Sequence, residues 1–334
     1  MAVNLLVTGG TGFVGSHVVD TALEKNYRVR VFAKADSEGI EELLSRGVEV
    51  IIGDLRNDSE IEQAIDGMDV VVHCAAQVGE MGNEISYAET NVNSCGQIIR
   101  SSQRHSIKKL VFISSQGVYE ARDHFGTIET EMFPLESLDF YTKSKAISEK
   151  LFANAMQNKE IPGVILRPGF IYGARDRQLL PRVVSALRQK KVAFWGSGQK
   201  LINNTYIENL IQAIFLAIES EKRSGEIYNI ADRRRIDRRH FFRTVSQEAS
   251  VPKPRLHIPP PIFRKILDIC EFLTAYLKLQ SPLLVSKARY KFLAVNLDYS
   301  IAKAIEELGY DPKYSFDEGM KKTILWFLAN EKNI

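Results

Sequence analysis

The sequence is poor in cysteine, in net charge and in long apolar runs. Only Cys74, Cys95 and Cys270 occur among 334 residues, and this odd, widely spaced set predicts neither a disulfide framework nor a metal site. The net charge of +3 is too small to indicate a nucleic-acid-binding protein. No stretch approaches the roughly 20 apolar residues of a membrane-spanning helix, and the N-terminus does not have a signal peptide's pattern. We therefore expect a soluble, cytoplasmic protein in a reducing compartment.

The first half of the chain alternates between short apolar runs and helical segments. The runs are typical of parallel strands that are buried on both faces, because they are continuous in Val, Ile and Leu. They fall at residues 3–7, 28–33, 48–52, 68–73, 109–114 and 163–166, with a late strand at 226–230. Helices are predicted between them, among them 13–25, 85–104 and 140–157. This pattern predicts an α/β fold with a doubly wound, Rossmann-type parallel sheet.

A glycine-rich loop joins the first strand to the first helix. Gly9, Gly12 and Gly15 follow the spacing G-x-x-G-x-x-G. Glycines there allow a tight turn, a close approach of the backbone to a pyrophosphate and close packing of helix on strand. The N-terminus of the helix offers unpaired N–H groups to the same anion. The loop predicts a dinucleotide site.

The end of the second strand bears on which dinucleotide binds. An acidic residue there binds the ribose of NAD, whereas a basic one favours the 2′-phosphate of NADP. The strand ends in Ala33-Lys34, and no acid follows until Asp36. We therefore favour NADP(H), with NAD(H) as the alternative and a solvated surface lysine as the other interpretation of Lys34. Asp54, after the third strand, is predicted either to reach the adenine edge or to cap a turn.

A tyrosine and a lysine four residues apart form the candidate catalytic pair. Tyr141 and Lys145 would share one face of a helix. An ammonium near a phenol lowers its pKa from about 10, and such a phenol can exchange a proton with a carbinol or carbonyl oxygen. Ser115 ends an apolar strand, where ligands of doubly wound sheets bind. These residues and the glycine loop would converge on one crevice.

Taken together, these segments resemble the extended short-chain dehydrogenase/reductase family. The matching segments are Thr8–Gly15, Gly53–Leu55, His73–Ala76, Asn91, Val111–Tyr119, Tyr141–Lys145, Leu166–Gly173, Tyr206–Asn209 and Leu308–Pro312. The chain departs from the family at Ser94-Cys95, where Gly-Thr is usual, and at Glu120, where Gly is common. The resemblance implies a dinucleotide-binding domain of residues 1–172 plus about 200–230. A smaller, discontinuous, mostly helical substrate domain would comprise about 173–199 plus 231–334.

The resemblance also implies a role for each matching residue. Tyr141 is the general acid/base, Lys145 holds the nicotinamide ribose and lowers the tyrosine pKa, and Ser115 orients the substrate oxygen. The residues expected at the cofactor are Gly9, Thr11, Gly12, Phe13, Val14, Gly15, Lys34, Asp54, Leu55, Ala75, Ala76, Asn91, Tyr141, Lys145 and Pro168. The residues expected at the substrate are Gln77, Gln116 and Ile171.

The strand after the catalytic helix indicates the branch of the family. Residues 166–173 lack the Asn that is usual in sugar-nucleotide enzymes, and resemble 3β-hydroxysteroid dehydrogenases, sterol-decarboxylating enzymes and dihydroflavonol reductases. We expect hydride transfer between a nicotinamide and a secondary alcohol or ketone of a hydrophobic, sterol-, lipid- or aromatic-like substrate. The alternatives are a sugar-nucleotide epimerase or dehydratase with tightly bound NAD, and a non-catalytic cofactor-binding regulator.

Two further segments bear on partners. The amphipathic stretch 259–280 suits a lid over an apolar substrate, a peripheral membrane contact, or an ordinary core or dimer helix. The basic cluster from Arg233 to Arg239 suits a phosphate, carboxylate or anionic lipid, or a solvated loop. A homodimer is expected from the family, and no nucleic-acid partner is expected.

Overall fold

A computed structural model describes residues 2–78, 83–130, 139–220, 224–259 and 287–333, together with residues 262, 265, 269, 270, 273 and 276. Its centre is a seven-stranded parallel sheet, whose strands are β1 Asn4–Thr8, β2 Arg28–Ala33, β3 Glu49–Ile52, β4 Val70–His73, β5 Lys109–Ile113, β6 Gly163–Pro168 and β11 Ser224–Ile230. They lie in the order β11-β6-β5-β4-β1-β2-β3. The predicted α/β fold and its late strand are confirmed.

Helices cover both faces of the sheet. Side chains alternate along each strand, so Leu5 and Val7 of β1 join one core and Leu6 joins the other. The first core packs on α1 and α8, and the second packs on α3, α5 and α6. The helices are α1 Phe13–Glu24, α2 Ile40–Ser45, α3 Asp58–Ile65, α4 Glu84–Tyr87, α5 Ser94–Arg104, α6 Phe140–Gln157, α7 Leu179–Arg188, α8 Ile207–Glu219, α9 Arg238–Glu248, α10 Lys287–Ala294, α11 Ala302–Leu308 and α12 Phe316–Asn330.

The strand order reverses at β1, which pairs with β2 on one side and β4 on the other. Connections that leave the sheet in opposite directions open a crevice at the carboxyl ends of these two strands, where ligands of such sheets bind. The glycine loop follows β1 at this point, and residues 74–78 follow β4. The crevice is therefore the expected ligand site.

Three small strand pairs lie outside the sheet, and the sequence did not predict them. They join β7 Phe170–Tyr172 to β10 Asn204–Tyr206, β9 Leu201–Ile202 to β12 Ile236–Asp237, and β8 Phe194–Trp195 to β13 His257–Ile258. The second strand of the third pair, β13, lies between Pro254 and Pro259. Two- and three-residue strands carry too short an apolar pattern to be recognised. The division into two domains stays a prediction.

The helix predicted over residues 85–104 is interrupted in the structure. A π-helical turn, Ala88–Asn93, separates α4 from α5. Such turns occur often at functional sites. The unusual Ser94-Cys95 pair serves this turn, because Ser94 Oγ donates to the Thr90 carbonyl at 2.7 Å and Cys95 Sγ donates to the Asn91 carbonyl at 2.8 Å.

Among the described residues, none of the helices combines the length and apolarity needed to cross a bilayer. The amphipathic stretch 259–280 lies outside the described residues, apart from a few isolated positions. Its predicted role as a lid or membrane contact therefore stays a prediction.

Candidate active site

A cleft of about 890 Å³ opens at the carboxyl ends of the strands. Many of the predicted site residues line it, and they come from six separate stretches of chain. These are Gly9, Thr11, Gly12, Phe13, Val14, Gly15, Lys34, Leu55, Ala75, Ala76, Gln77, Tyr141, Lys145 and Ile171. The remaining predicted residues, Asp54, Asn91, Ser115, Gln116 and Pro168, are not among the residues that line it. The fold thus brings the glycine loop and the Tyr/Lys pair into one cavity.

The glycine loop has the shape that a pyrophosphate requires. A Cβ on Gly15 would lie 2.1 Å from the Gly9 carbonyl oxygen, and a Cβ on Gly10 would lie 2.6 Å from Val31. Gly9 itself has φ +70°, which side-chain-bearing residues rarely adopt. The N-cap of α1 is Gly12, whose lack of a side chain leaves the first-turn N–H groups uncapped. This cradle fits the pyrophosphate of a dinucleotide.

Asp54 serves the turn rather than the adenine. Its carboxylate accepts hydrogen bonds from the Arg56 backbone N–H at 2.9 Å and from the Arg56 guanidinium at 2.7 and 3.0 Å. These bonds lower the pKa of Asp54 to about 2. The structure therefore supports the capping alternative, since a carboxylate that is already bonded to a neighbouring cation has little left to offer an adenine.

Asn91 holds the wall of the cleft without lining it. Its side-chain oxygen accepts from the Gln77 N–H at 2.7 Å, and its amide nitrogen donates to the Gln77 carbonyl at 3.1 Å and to Ser144 Oγ at 2.9 Å. Asn91 thus joins the loop after β4 to α6, the helix of Tyr141. Its contact with a cofactor is indirect in this arrangement.

Tyr141 and Lys145 lie on α6, but their electrostatics differ from the sequence prediction. Burial, with smaller effects of Asp139 and Tyr87, raises the pKa of Tyr141 to about 12. Lys145 Nζ donates to the Ile113 carbonyl at 2.6 Å and lies 4.3 Å from the centre of the Phe112 ring. Burial lowers the pKa of Lys145 to about 8. In the protein alone, burial outweighs any lowering of the phenol pKa by Lys145, because desolvation favours the neutral phenol.

Ser115 begins a short 3₁₀ turn, Gln116–Val118, at the end of β5. Its Oγ accepts a hydrogen bond from the Gly117 N–H at 2.9 Å. A Cβ built on Gly117 would lie 3.1 Å from Ser115 Oγ and 3.7 Å from Thr142 Oγ1. The serine turn therefore packs on the first turn of α6, next to Tyr141.

A buried ion pair lies beneath this turn. Arg167 and Glu149 have side-chain exposures of 3% and 4%, and two guanidinium nitrogens approach the carboxylate at 2.5 to 3.1 Å. Ser114 Oγ donates to the same carboxylate at 2.5 Å. Glu149 is one helical turn beyond Lys145, so the pair ties β5, β6 and α6 together. Sequence reasoning missed it, because neither residue belongs to a local motif.

One end of the cleft is lined by charged side chains of both signs. The cations Lys34, Arg46, Arg175 and Arg177 line this cavity together with the carboxylates of Glu38, Glu42 and Asp176. Arg46 and Arg175 both bind Asp20, each at 2.7 Å, and Arg46 also lies 3.6 Å from Glu42. Sequence reasoning missed the two late arginines, although the run Arg175-Asp176-Arg177 directly after β7 was a visible signal. The wall carries more positive than negative charge.

Arg177 forms an ion pair across this end of the cleft with Glu38, which follows β2. Asp176 is buried and caps α7 by accepting the backbone N–H groups of Gln178, Leu179 and Leu180. The segment that carries the arginines is thus anchored at the rim of the cavity.

The basic cluster after residue 232 mainly serves the fold. Arg233 pairs with Asp311, Arg235 with Asp298, and Arg239 donates to the Ser197 carbonyl. Arg238 is buried and donates to the backbone carbonyls of Lys200, Leu201, Lys291, Phe292 and Val295. Since these four guanidinium groups already have partners in the chain, the structure gives no support to their predicted role in binding a phosphate.

A parallel sheet with this strand order, and with a glycine loop at the strand where the order reverses, is typical of dinucleotide-binding proteins. The fold and the cleft define this class. The model of the NAD dependent epimerase/dehydratase family matches residues 5–231. The chain belongs to that family, and the identification as an extended short-chain dehydrogenase/reductase enzyme is confirmed.

The similar proteins include dehydrogenases and reductases that match in sequence, and sugar-nucleotide epimerases that match in structure. The chain is 28% identical to sterol-4-alpha-carboxylate 3-dehydrogenase, decarboxylating, of Schizosaccharomyces pombe, over 100% of both chains. It is also 28% identical to 2-alkyl-3-oxoalkanoate reductase of Shewanella oneidensis, over 95% of this chain and 84% of that one. The structure of UDP-glucose 4-epimerase from Thermotoga maritima has a TM-score of 0.78 at 23% identity, covering 98% of this chain and 99% of that chain. The last similarity establishes the fold alone.

Proposed function

We propose that the protein is an NADP(H)-preferring oxidoreductase that interconverts 3-oxo and 3-hydroxy acids carrying a large apolar substituent next to the carboxylate. The observation that carries the proposal is that Tyr141 and Lys145 line the same cleft as the glycine cradle. A proton-transfer group is thereby placed beside the cofactor site, as a carbonyl reductase requires.

The substrate class follows from what two relatives have in common. The names sterol-4-alpha-carboxylate 3-dehydrogenase and 2-alkyl-3-oxoalkanoate reductase describe very different carbon skeletons. Yet both describe a carboxylate on the carbon next to the reacting carbinol or carbonyl carbon, within an apolar skeleton. We carry over this shared unit rather than either skeleton.

The preference for NADP(H) is supported by the charged end of the cleft. Lys34 follows β2 at the position that reads the ribose, and its side chain is exposed in the cavity wall. Arg46 and Arg175 both bind Asp20, and Arg46 also pairs with Glu42 at 3.6 Å, so Lys34 is the lining cation that carries this argument. A 2′-phosphate would find a favourable field there.

The residues of the chain divide the work of the reduction. A bound nicotinamide supplies the hydride. Tyr141, kept neutral by burial, holds a proton for the developing alkoxide. Ser115 does not itself line the cleft, but its neighbour Ser114 does, and its turn packs on α6 next to Tyr141. Ser115 Oγ accepts the Gly117 N–H and keeps its own O–H to donate to the same oxygen. Lys145 lies one helical turn after Tyr141. It is available to hydrogen-bond the ribose hydroxyls and to return a proton to the phenolate.

A substrate panel with the wild-type protein tests the proposal. A long-chain 2-alkyl-3-hydroxy acid with NADP⁺ should give reduced nicotinamide, measured by its absorbance, and the methyl ester of the same acid should react more slowly. NAD⁺ should serve less well. Turnover of the ester at the rate of the acid would contradict the carboxylate requirement. Tight copurification of NAD with epimerisation of a UDP-sugar would instead support the sugar-nucleotide alternative.

A further inference from the structure

Lys291, on α10, reaches the turn that carries Ser115 from a distant part of the sequence. Its Nζ donates hydrogen bonds to the carbonyl oxygens of Gln116 at 3.1 Å, Gly117 at 2.9 Å and Tyr119 at 2.6 Å. More than 170 residues separate the two segments. All three of these partners belong to the segment directly after Ser115.

The three acceptors are matched by an ammonium group. A protonated lysine has three N–H donors, and a neutral amine has only two. Burial lowers the pKa of Lys291 to about 7, and the carboxylate of Asp139 opposes this effect. The Gln116 carbonyl also accepts the Tyr119 N–H at 3.3 Å, and carbonyl groups at the end of a helical turn attract a cation. The bonds therefore cap the 3₁₀ turn and favour the charged form.

One of these bonds continues to Ser115. The carbonyl of Gln116 and the N–H of Gly117 belong to the same peptide group. Lys291 donates to the oxygen of this peptide group, and the N–H of the same group, that of Gly117, donates to Ser115 Oγ at 2.9 Å. Hydrogen bonds in such a chain polarise one another. The ammonium thus strengthens the bond to Oγ, which makes the Ser115 O–H a better donor to a developing alkoxide.

The lysine is itself held in place. Arg238 donates to the carbonyls of Phe292 at 2.7 Å and Val295 at 2.5 Å, at the end of α10. The same guanidinium donates to the Lys200 carbonyl at 2.9 Å, next to β9. These bonds tie the end of α10 to the backbone next to β9, so the helix from which the Lys291 side chain extends is held in place.

We propose that Lys291 is a positioning residue for the reaction, and that it acts on Ser115 through the Gln116–Gly117 peptide group. The inference rests on the proposed function, because Ser115 must hydrogen-bond the substrate oxygen for its polarisation to matter. The residue does not itself touch the substrate in this account.

A double-mutant cycle tests the route of the effect. Lys291→Met should lower kcat roughly tenfold, which is less than the roughly 10²- to 10³-fold lost when a donor to a developing oxyanion is removed outright. It should leave KM for the cofactor unchanged, and Lys291→Arg should recover part of kcat. In a Ser115→Ala background the same change should cost less than about twofold, because the residue through which it acts is gone. Equal losses in both backgrounds would overturn the proposal.

A second measurement needs no substrate. The Gly117 amide proton should move upfield in the NMR spectrum of Lys291→Met, and Lys321→Met, at an exposed position on α12, should leave it in place. An unchanged Gly117 signal would overturn the relay even if kcat fell. If Lys291→Met does not fold, the neutral Lys291→Gln variant is judged by the same criteria. Absence of turnover in the wild type would refute the proposed function, and the Gly117 signal would still decide the relay.

Discussion

The glycine cradle gives a sharp prediction that requires no knowledge of the substrate. In Gly15→Ala, the new methyl group would lie 2.1 Å from the Gly9 carbonyl oxygen, 2.7 Å from the Gly9 carbonyl carbon and 2.9 Å from Gly10 Cα. These are backbone atoms, so no rotamer change relieves the overlap and the loop must move by about an ångström. Overpacking of this kind costs about 1–3 kcal/mol, and the better helix propensity of alanine returns up to about 1 kcal/mol. The folded state should therefore survive.

Cofactor binding should suffer far more than folding. Moving the loop away from the pyrophosphate removes at least one hydrogen bond to a charged group, worth about 1.5–3 kcal/mol, or roughly 10- to 100-fold in Kd. Calorimetric titration of NADPH measures the affinity, and thermal unfolding checks the fold. Gly96→Ala on α5 is the matched control, because its methyl group would meet only the mobile end of Arg100, at 3.3 Å. Wild-type affinity in Gly15→Ala would refute the cradle as the pyrophosphate site.

Three further changes probe the site and its support. Lys34→Glu should lower the preference for NADPH over NADH by roughly tenfold or more, through loss of a charge-assisted bond to the 2′-phosphate, and an unchanged ratio of kcat/KM values would speak against that role. His73 is buried with its pKa lowered to about 3, so the unfolded chain binds one more proton between about pH 6.5 and 3. The free energy of unfolding should fall by about 5 kcal/mol as pH falls through that window, and His73→Asn should remove this part of the slope in denaturant titrations. Glu149→Gln leaves the Arg167 charge buried without a counter-ion and should destabilise the fold by about 3–5 kcal/mol in urea unfolding, whereas a loss under 1 kcal/mol would contradict the buried-pair description.

Features encoded within a few residues were predictable from the sequence. The strands of the sheet carry continuous apolar runs, and β2 and α6 have the bounds that were expected. The glycine loop and the Tyr141/Lys145 pair are likewise local patterns. Their meeting in one cleft followed from the rule that parallel strands present their carboxyl ends at the same edge.

Features that depend on distant partners were not predictable. The pKa of Tyr141 is set by burial, which the spacing to Lys145 does not reveal. Arg233 and Arg235 seemed available for an anion, but their partners Asp311 and Asp298 lie more than 60 residues further along the chain. Lys291 belongs to no motif, and only the fold brings it to the turn after Ser115. The sequence therefore predicts the local catalytic motif, but not the contacts from distant segments that support it.

The central claim is that Tyr141 exchanges the proton while hydride moves to or from a bound nicotinamide. Its most direct test is the single-turnover rate of Tyr141→Phe with NADPH and a 2-alkyl-3-oxo acid, compared with the wild type. The account predicts a loss of at least about a hundredfold with NADPH affinity unchanged, because only the proton donor is removed. A variant that reduces the acid at the wild-type rate would contradict it.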